Sequence, residues 1–165
     1  MYTLPAGYPN DAFAAFAYLK DKPTLEDHDF IVLALVESIG ELFYQTLARG
    51  IDHAEARGLI ERNAAEERGH AHRMLKALRL RGAGDFELPP VEDNPFYALA
   101  PTEIPVSTEL FGVLETAETD GDAQYQRWAD GEPNPEIAQL LRLNGTEETR
   151  HCERVQQVKA LLRAA

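Results

Sequence analysis

Along four long stretches of the chain, apolar residues recur every three or four positions, the period of a helix with one face turned to a core. In the last stretch the inward set reads Ile137, Leu141, Asn144, Glu148, His151, Val155, Val158, Leu162. In the second it reads Ile60, Asn63, Glu67, His70, Met74, Ala77. The first and third read Phe30, Leu33, Glu37, Gly40, Tyr44, Leu47 and Phe111, Leu114, Glu118, Gly121, Tyr125, Trp128. No strand-like alternation competes, so the pattern predicts an all-α protein. Each stripe carries a carboxylate near its middle, where a plain core would keep an apolar side chain.

Start and stop signals bound these stretches. Helix one is predicted over residues 24–49, with Pro23 before it, Glu26, Asp27 and Asp29 in its opening turn, and Gly50 after it. Helix two opens on the capping-box pattern Asp52-x-x-Glu55 and runs to Arg81, with Gly82 as its stop. Helix three covers residues 107–130 and ends at Gly131; Asn134-Pro135 caps helix four, which continues nearly to Ala165. A shorter helix over residues 11–20 precedes them. Prolines 89, 90, 95, 101 and 105 forbid a regular helix between the pairs. The organisation expected is a single domain: an N-terminal segment 1–23, hairpin 24–81, crossover 82–106 and hairpin 107–165. Two hairpins joined by one long connection make a four-helix bundle with a single crossover between helices two and three.

The halves repeat. Residues 30–80 align without a gap onto residues 111–161, with seventeen identities in fifty-one positions. Composition alone gives about three. The identities include Glu37/Glu118, Gly40/Gly121, Tyr44/Tyr125, Asn63/Asn144, Glu66/Glu147, Glu67/Glu148, His70/His151 and Arg73/Arg154. Duplicated hairpins packed about a pseudo-twofold axis place equivalent side chains opposite one another, so these polar groups are expected to face each other.

Composition narrows the chemistry. Sixteen Lys+Arg against twenty-eight Asp+Glu give a formal charge of −12, which repels nucleic acid and anionic lipid. The single cysteine, Cys152, makes neither an internal disulfide nor a CxxC pair. Residues 1–10 lack a basic start followed by an apolar run, and no stretch reads as a bilayer span, so a soluble, cytoplasmic protein is expected. Glu67 and His70 lie three apart, about one turn along a helix and about 60° around it, so both reach one ion. Glu148 and His151 do the same. With Glu37 and Glu118 they make four carboxylates and two imidazoles on one level of the bundle. Such a set is costly to bury without counter-charge, and two divalent cations balance it. Oxygen and imidazole ligands without thiolate suit iron or manganese.

The order Glu, Glu-x-x-His, Glu, Glu-x-x-His resembles that of the ferritin-like di-iron carboxylate proteins, and within them the rubrerythrin group. The local match is Glu37-Ser38 with Tyr44, Glu67-x-x-His70-Ala71, Glu115-x-x-Glu118 and Glu148-x-x-His151. The resemblance implies a ferritin-like bundle binding two iron ions through Glu37, Glu67, His70, Glu118, Glu148 and His151. Rubrerythrins carry an additional helix-three carboxylate, and the pair Glu115/Glu118 supplies a candidate. The repeat favours Glu118 as the ordinary ligand; the choice stays open in the sequence. The activity implied is reduction of hydrogen peroxide or dioxygen. The electron donor must be external, because one cysteine cannot build the rubredoxin-like iron centre of other rubrerythrins. Ferroxidase or iron-handling activity and oxygenation of an organic substrate are the competing readings. A homodimer is an assembly common among such bundles.

Other polar residues have plainer readings. Tyr44 and Tyr125 fit core packing and a role beside the ligands, supporting them or carrying a radical, equally well. Asn63 and Asn144 fit helix-to-helix hydrogen bonding or ligand orientation. Glu66, Glu147, Arg73 and Arg154 read as paired surface charges. His28, His53 and His72 are expected at the surface, and Cys152 as a small buried residue.

Overall fold

The computed structural model describes residues 2–97 and 102–164. Helix α1 spans Ala12–Lys20, α2 Asp27–Arg49, α3 Ala54–Leu80, α4 Thr108–Gly131 and α5 Pro135–Ala164, with a short 3-10 turn at Val91–Asp93. There is no strand among the described residues. α2 packs along α3 and α4 along α5, and the two hairpins meet through α3 and α5. The architecture is the expected helical bundle with its short leading helix.

Local chemistry sets the helix ends. Asp11 accepts a hydrogen bond from the Ala14 amide at 2.9 Å, Ser107 from Leu110 at 3.1 Å and Asn134 from Glu136 at 3.0 Å. α3 departs from its predicted cap: the capping side chain is His53, whose Nδ1 accepts from the Ala56 amide at 3.3 Å, while Asp52 is exposed. The neighbouring Ile51 is buried in the turn, and the chain enters the helix one residue later than the Asp52 pattern implies. Gly82, with φ +70°, makes the left-handed stop after α3. Gly131 serves otherwise, because a Cβ there would lie 2.9 Å from the Pro23 carbonyl oxygen. It is glycine so that the segment before α2 can pass against the end of α4.

The core falls into two apolar clusters with a charged layer between them. One gathers Phe30, Leu33, Met74, Trp128, Ile137 and Leu141; the other gathers Leu47, Ile60, Phe111, Leu114, Val155 and Val158. Burying side chains of this kind contributes about 1.5–3 kcal/mol each. These two ends hold the bundle closed around a middle that does not favour burial.

Two straps tie the remaining chain to the bundle. In the crossover, Asn94 is buried and donates to the Leu35 carbonyl at 3.0 Å and to Ser38 Oγ at 2.7 Å, and Phe96 beside it is fully buried. Prolines 89, 90, 95 and 105 lie in this non-helical run; Pro101 lies outside the described residues. At the other strap, Asp29 is wholly buried, pairs with Lys22 at 2.6 Å and accepts from the Tyr8 hydroxyl. The Lys22 carbonyl in turn accepts from the Trp128 indole at 3.1 Å. Asp29 is thus an anchor for the N-terminal segment and not only a helix-dipole residue.

One sequence expectation about apolarity changes. α2 is long and apolar enough to meet the length and composition of a membrane span, with a mean hydropathy of 1.5 over its best window. Of that window 56% is buried inside the bundle, and it contains the buried Glu37. Its apolarity is that of a helix packed on several sides.

Candidate metal centre

Position on the helices fixes the cluster. Glu37 from α2, Glu67 and His70 from α3, Glu118 from α4, and Glu148 and His151 from α5 are all buried at the mid-height of the bundle. Their ligand atoms form overlapping groups: Glu37, Glu67 and His70; His70, Glu148 and His151; Glu67, Glu118, Glu148 and His151. Within each group the candidate atoms lie within 4.8 Å of one another.

The distances assign roles. Glu67 turns Oε2 toward His70 Nδ1, at 3.5 Å, and Oε1 toward His151 Nδ1, at 3.3 Å. Glu148 turns Oε1 toward His70 Nδ1, at 3.4 Å, and Oε2 toward His151 Nδ1, at 3.1 Å. Each of these carboxylates therefore reaches both imidazoles. Glu37 lies 3.6 Å from His70 alone and Glu118 3.4 Å from His151 alone. Two equivalent positions result, each with one imidazole and one carboxylate of its own, joined by two carboxylates in common. The imidazole rings lie parallel, 5.3 Å apart at their centroids.

The repeated glycines make room for this. A Cβ on Gly40 would lie 3.1 Å from Glu67 Oε2, and one on Gly121 would lie 3.4 Å from Glu148 Cγ. α2 and α4 are smoothed where the shared carboxylates of α3 and α5 cross them.

Around the ligands is a ring of contacts exchanged between the two hairpins. The Tyr44 hydroxyl of the first donates to Glu118 of the second, and the Tyr125 hydroxyl of the second donates to Glu37 of the first. His70 Nε2 lies 3.2 Å from Glu147, and His151 Nε2 lies 3.2 Å from Glu66. Arg73 pairs with Glu147 and Asn144; Arg154 pairs with Glu66 at 2.8 Å and Asn63 at 3.0 Å. The reading of Glu66, Glu147, Arg73 and Arg154 as surface charges is overturned: they back the histidines, and their guanidinium groups are mostly buried. The offset repeat already contained the signal, since each glutamate immediately precedes a shared carboxylate in both halves. The sequence does not show that each one crosses to the opposite hairpin.

Glu115 stands apart. It accepts from Lys159 at 2.7 Å on the outer side of α4, and the structure does not bring it to the cluster. Leu114 and Glu118 occupy the inward stripe at that level, and Glu115 is turned away from it. Cys152, expected to be buried, is half-exposed.

Protein groups alone leave the centre filled with protons. Burial pushes Glu37 up to about 8 and raises Glu118 well above the carboxylate range. Burial also opposes ionisation of Glu67 and Glu148, but the two histidines win, pulling Glu67 down to about 2 and Glu148 below the usual range. Desolvation works against charge on both histidines, and the surrounding carboxylates overcome it and hold them protonated. The layer is then neutral: two imidazoliums against two carboxylates. No ring nitrogen of either histidine makes a well-aligned hydrogen bond, although all four are buried. Two Nδ1 atoms without such partners, facing carboxylate oxygens, fit a pair of dications that would replace the four protons with no change in net charge.

A protein-family model described as Rubrerythrin matches residues 33–159, a span containing every ligand candidate. The chain belongs to the rubrerythrin family. No curated protein and no solved structure matches it. Membership places this rubrerythrin among the ferritin-like di-iron carboxylate proteins, and its buried His and Glu groups are compatible with the di-iron site of that family.

Proposed function

We propose that this rubrerythrin binds two iron ions between Glu37, Glu67, His70, Glu118, Glu148 and His151 and reduces hydrogen peroxide or dioxygen, drawing electrons from an external donor. The observation that carries the reading is the pair of carboxylates, Glu67 and Glu148, each reaching both histidines across the twofold. When bound, a ferrous pair supplies one electron per ion, and hydrogen peroxide needs two electrons and two protons to become two molecules of water. The protein's own part is positional. Glu66 and Glu147 orient the imidazoles so that Nδ1 faces inward. Tyr44 and Tyr125 hold hydroxyl protons on the carboxylates that are not shared, where a proton can pass without leaving the buried layer.

The test is metal stoichiometry after anaerobic Fe²⁺ loading, followed by oxidation with peroxide and with dioxygen. Two irons per chain, lost in Glu67→Ala/Glu148→Ala, and faster oxidation by peroxide are expected. No bound iron would remove the chemistry. Many irons oxidised per site with mineral formation would favour iron handling instead.

A further inference from the structure

The paired helices of each hairpin pack closely, but α2 and α4 stand farther apart, and the space between them is a cavity of about 190 Å³ that reaches the metal-ligand cluster. Its floor is polar: Glu37, Glu67, Glu118 and Glu148 all line it. Its walls are apolar, formed by Val36 and Phe43 from α2, Leu114 and Ala117 from α4, and Phe13 and Phe16 from α1. The shorter leading helix thus forms one side of the entrance, and Phe13 is 73% exposed there. A path meant only for water, hydrogen peroxide or dioxygen needs no such width. A cavity of about 150 Å³ lined by Leu, Ile and Phe is already wide enough for a benzene ring.

We propose that the cavity seats the hydrocarbon part of an organic hydroperoxide, with its peroxide group directed to the carboxylate floor. The substrate class follows from the two ends of the space: a ring or short branched chain against Phe16, Phe43 and Leu114, and an oxygen-bearing head at the inner end, where four buried carboxylates gather. The inference rests on the peroxide-reducing reading above. Reduction breaks the O–O bond of ROOH and takes up two protons to give ROH and water; the two electrons this needs would be supplied by a metal pair held by the six buried ligand candidates. The external donor then restores the two electrons.

Binding and turnover separate the two ideas. The full chain before iron addition is titrated with 2-phenyl-2-propanol, the alcohol product of cumene hydroperoxide, by ligand-observed NMR. The iron-loaded chain is then assayed with cumene hydroperoxide and with hydrogen peroxide. Ala12→Trp narrows the cavity from α1, away from every ligand, and Ala117→Phe narrows it from α4. Wild type is expected to bind the alcohol and to reduce the organic hydroperoxide. Ala12→Trp should weaken alcohol binding and lower kcat/KM for cumene hydroperoxide by about tenfold or more, with hydrogen peroxide turnover unchanged. Ala117→Phe should weaken alcohol binding likewise. No alcohol binding by wild type, or equal binding by both variants, would overturn the proposal. So would reduction of hydrogen peroxide without reduction of cumene hydroperoxide, which leaves the redox reading standing. Alcohol binding with neither peroxide reduced would overturn the redox reading while upholding the cavity as a binding site.

Discussion

Small contacts decide how the centre works. Gly40 is the clearest case, because alanine normally stabilises a helix by about 0.5–1 kcal/mol over glycine, yet its Cβ here would lie 3.1 Å from Glu67 Oε2. Gly40→Ala is expected to weaken Fe²⁺ binding without lowering the melting temperature of the metal-free protein; calorimetric titration and a thermal melt check both. Glu66 and Glu147 act through the imidazoles. Glu147→Gln is expected to weaken iron affinity by about 10–100-fold while leaving the stoichiometry unchanged, in a competition titration against a coloured chelator. Protons give a third reading. Glu37, Glu118 and both histidines have raised pKa values and hold protons near neutrality, and each must be deprotonated to bind metal. Loading two ferrous ions at pH 7 should therefore release close to four protons. The number should drop by one as pH rises through about 8, where Glu37 gives up its proton without metal. Proton release is read from pH change in weak buffer, and iron affinity should climb with pH, less steeply above that point.

At the scale of the elements, the straps matter as much as the stripes. Asp29→Ala removes the buried partner of both Lys22 and Tyr8. A loss of about 1–3 kcal/mol is expected, with earlier proteolytic cleavage before α2, read by a denaturant melt and limited proteolysis. The helices themselves were legible because periodicity and caps agree: the inward sets of all four stripes are buried, except Gly40 and Leu162, which are half-buried. Asp52 was misread because the residue that caps a helix depends on what packs beside it, here Ile51, and a one-dimensional pattern does not contain that neighbour. Gly131 does end α4, but the pattern does not show the Pro23 carbonyl that a Cβ there would meet.

For the whole molecule, a charged layer between two apolar ends means that metal binding and folding are linked. Iron at one hundred times its dissociation constant stabilises by about 2.7 kcal/mol per site. Chelation is expected to lower the melting temperature, a shift absent from Glu67→Ala/Glu148→Ala. The bundle and the membership of its six facing residues followed from the repeat, since a duplicated hairpin brings equal positions together. The cavity did not, because the separation of α2 from α4 and the placing of α1 beside it leave no trace in hydrophobic spacing. Neither did Glu115, whose spacing from Glu118 suits a shared site but whose side chain faces Lys159.

Each histidine is backed by a glutamate, and each unshared carboxylate by a tyrosine, from the opposite hairpin. A lone hairpin therefore holds half a centre, unbuttressed. Two copies of one such hairpin, docked about a twofold, would supply all of these exchanged contacts, but only at concentrations where the copies meet. The crossover pinned by Asn94 turns that encounter into an intramolecular one. Dilution, which would dismantle a centre assembled from separate hairpins, leaves this one intact.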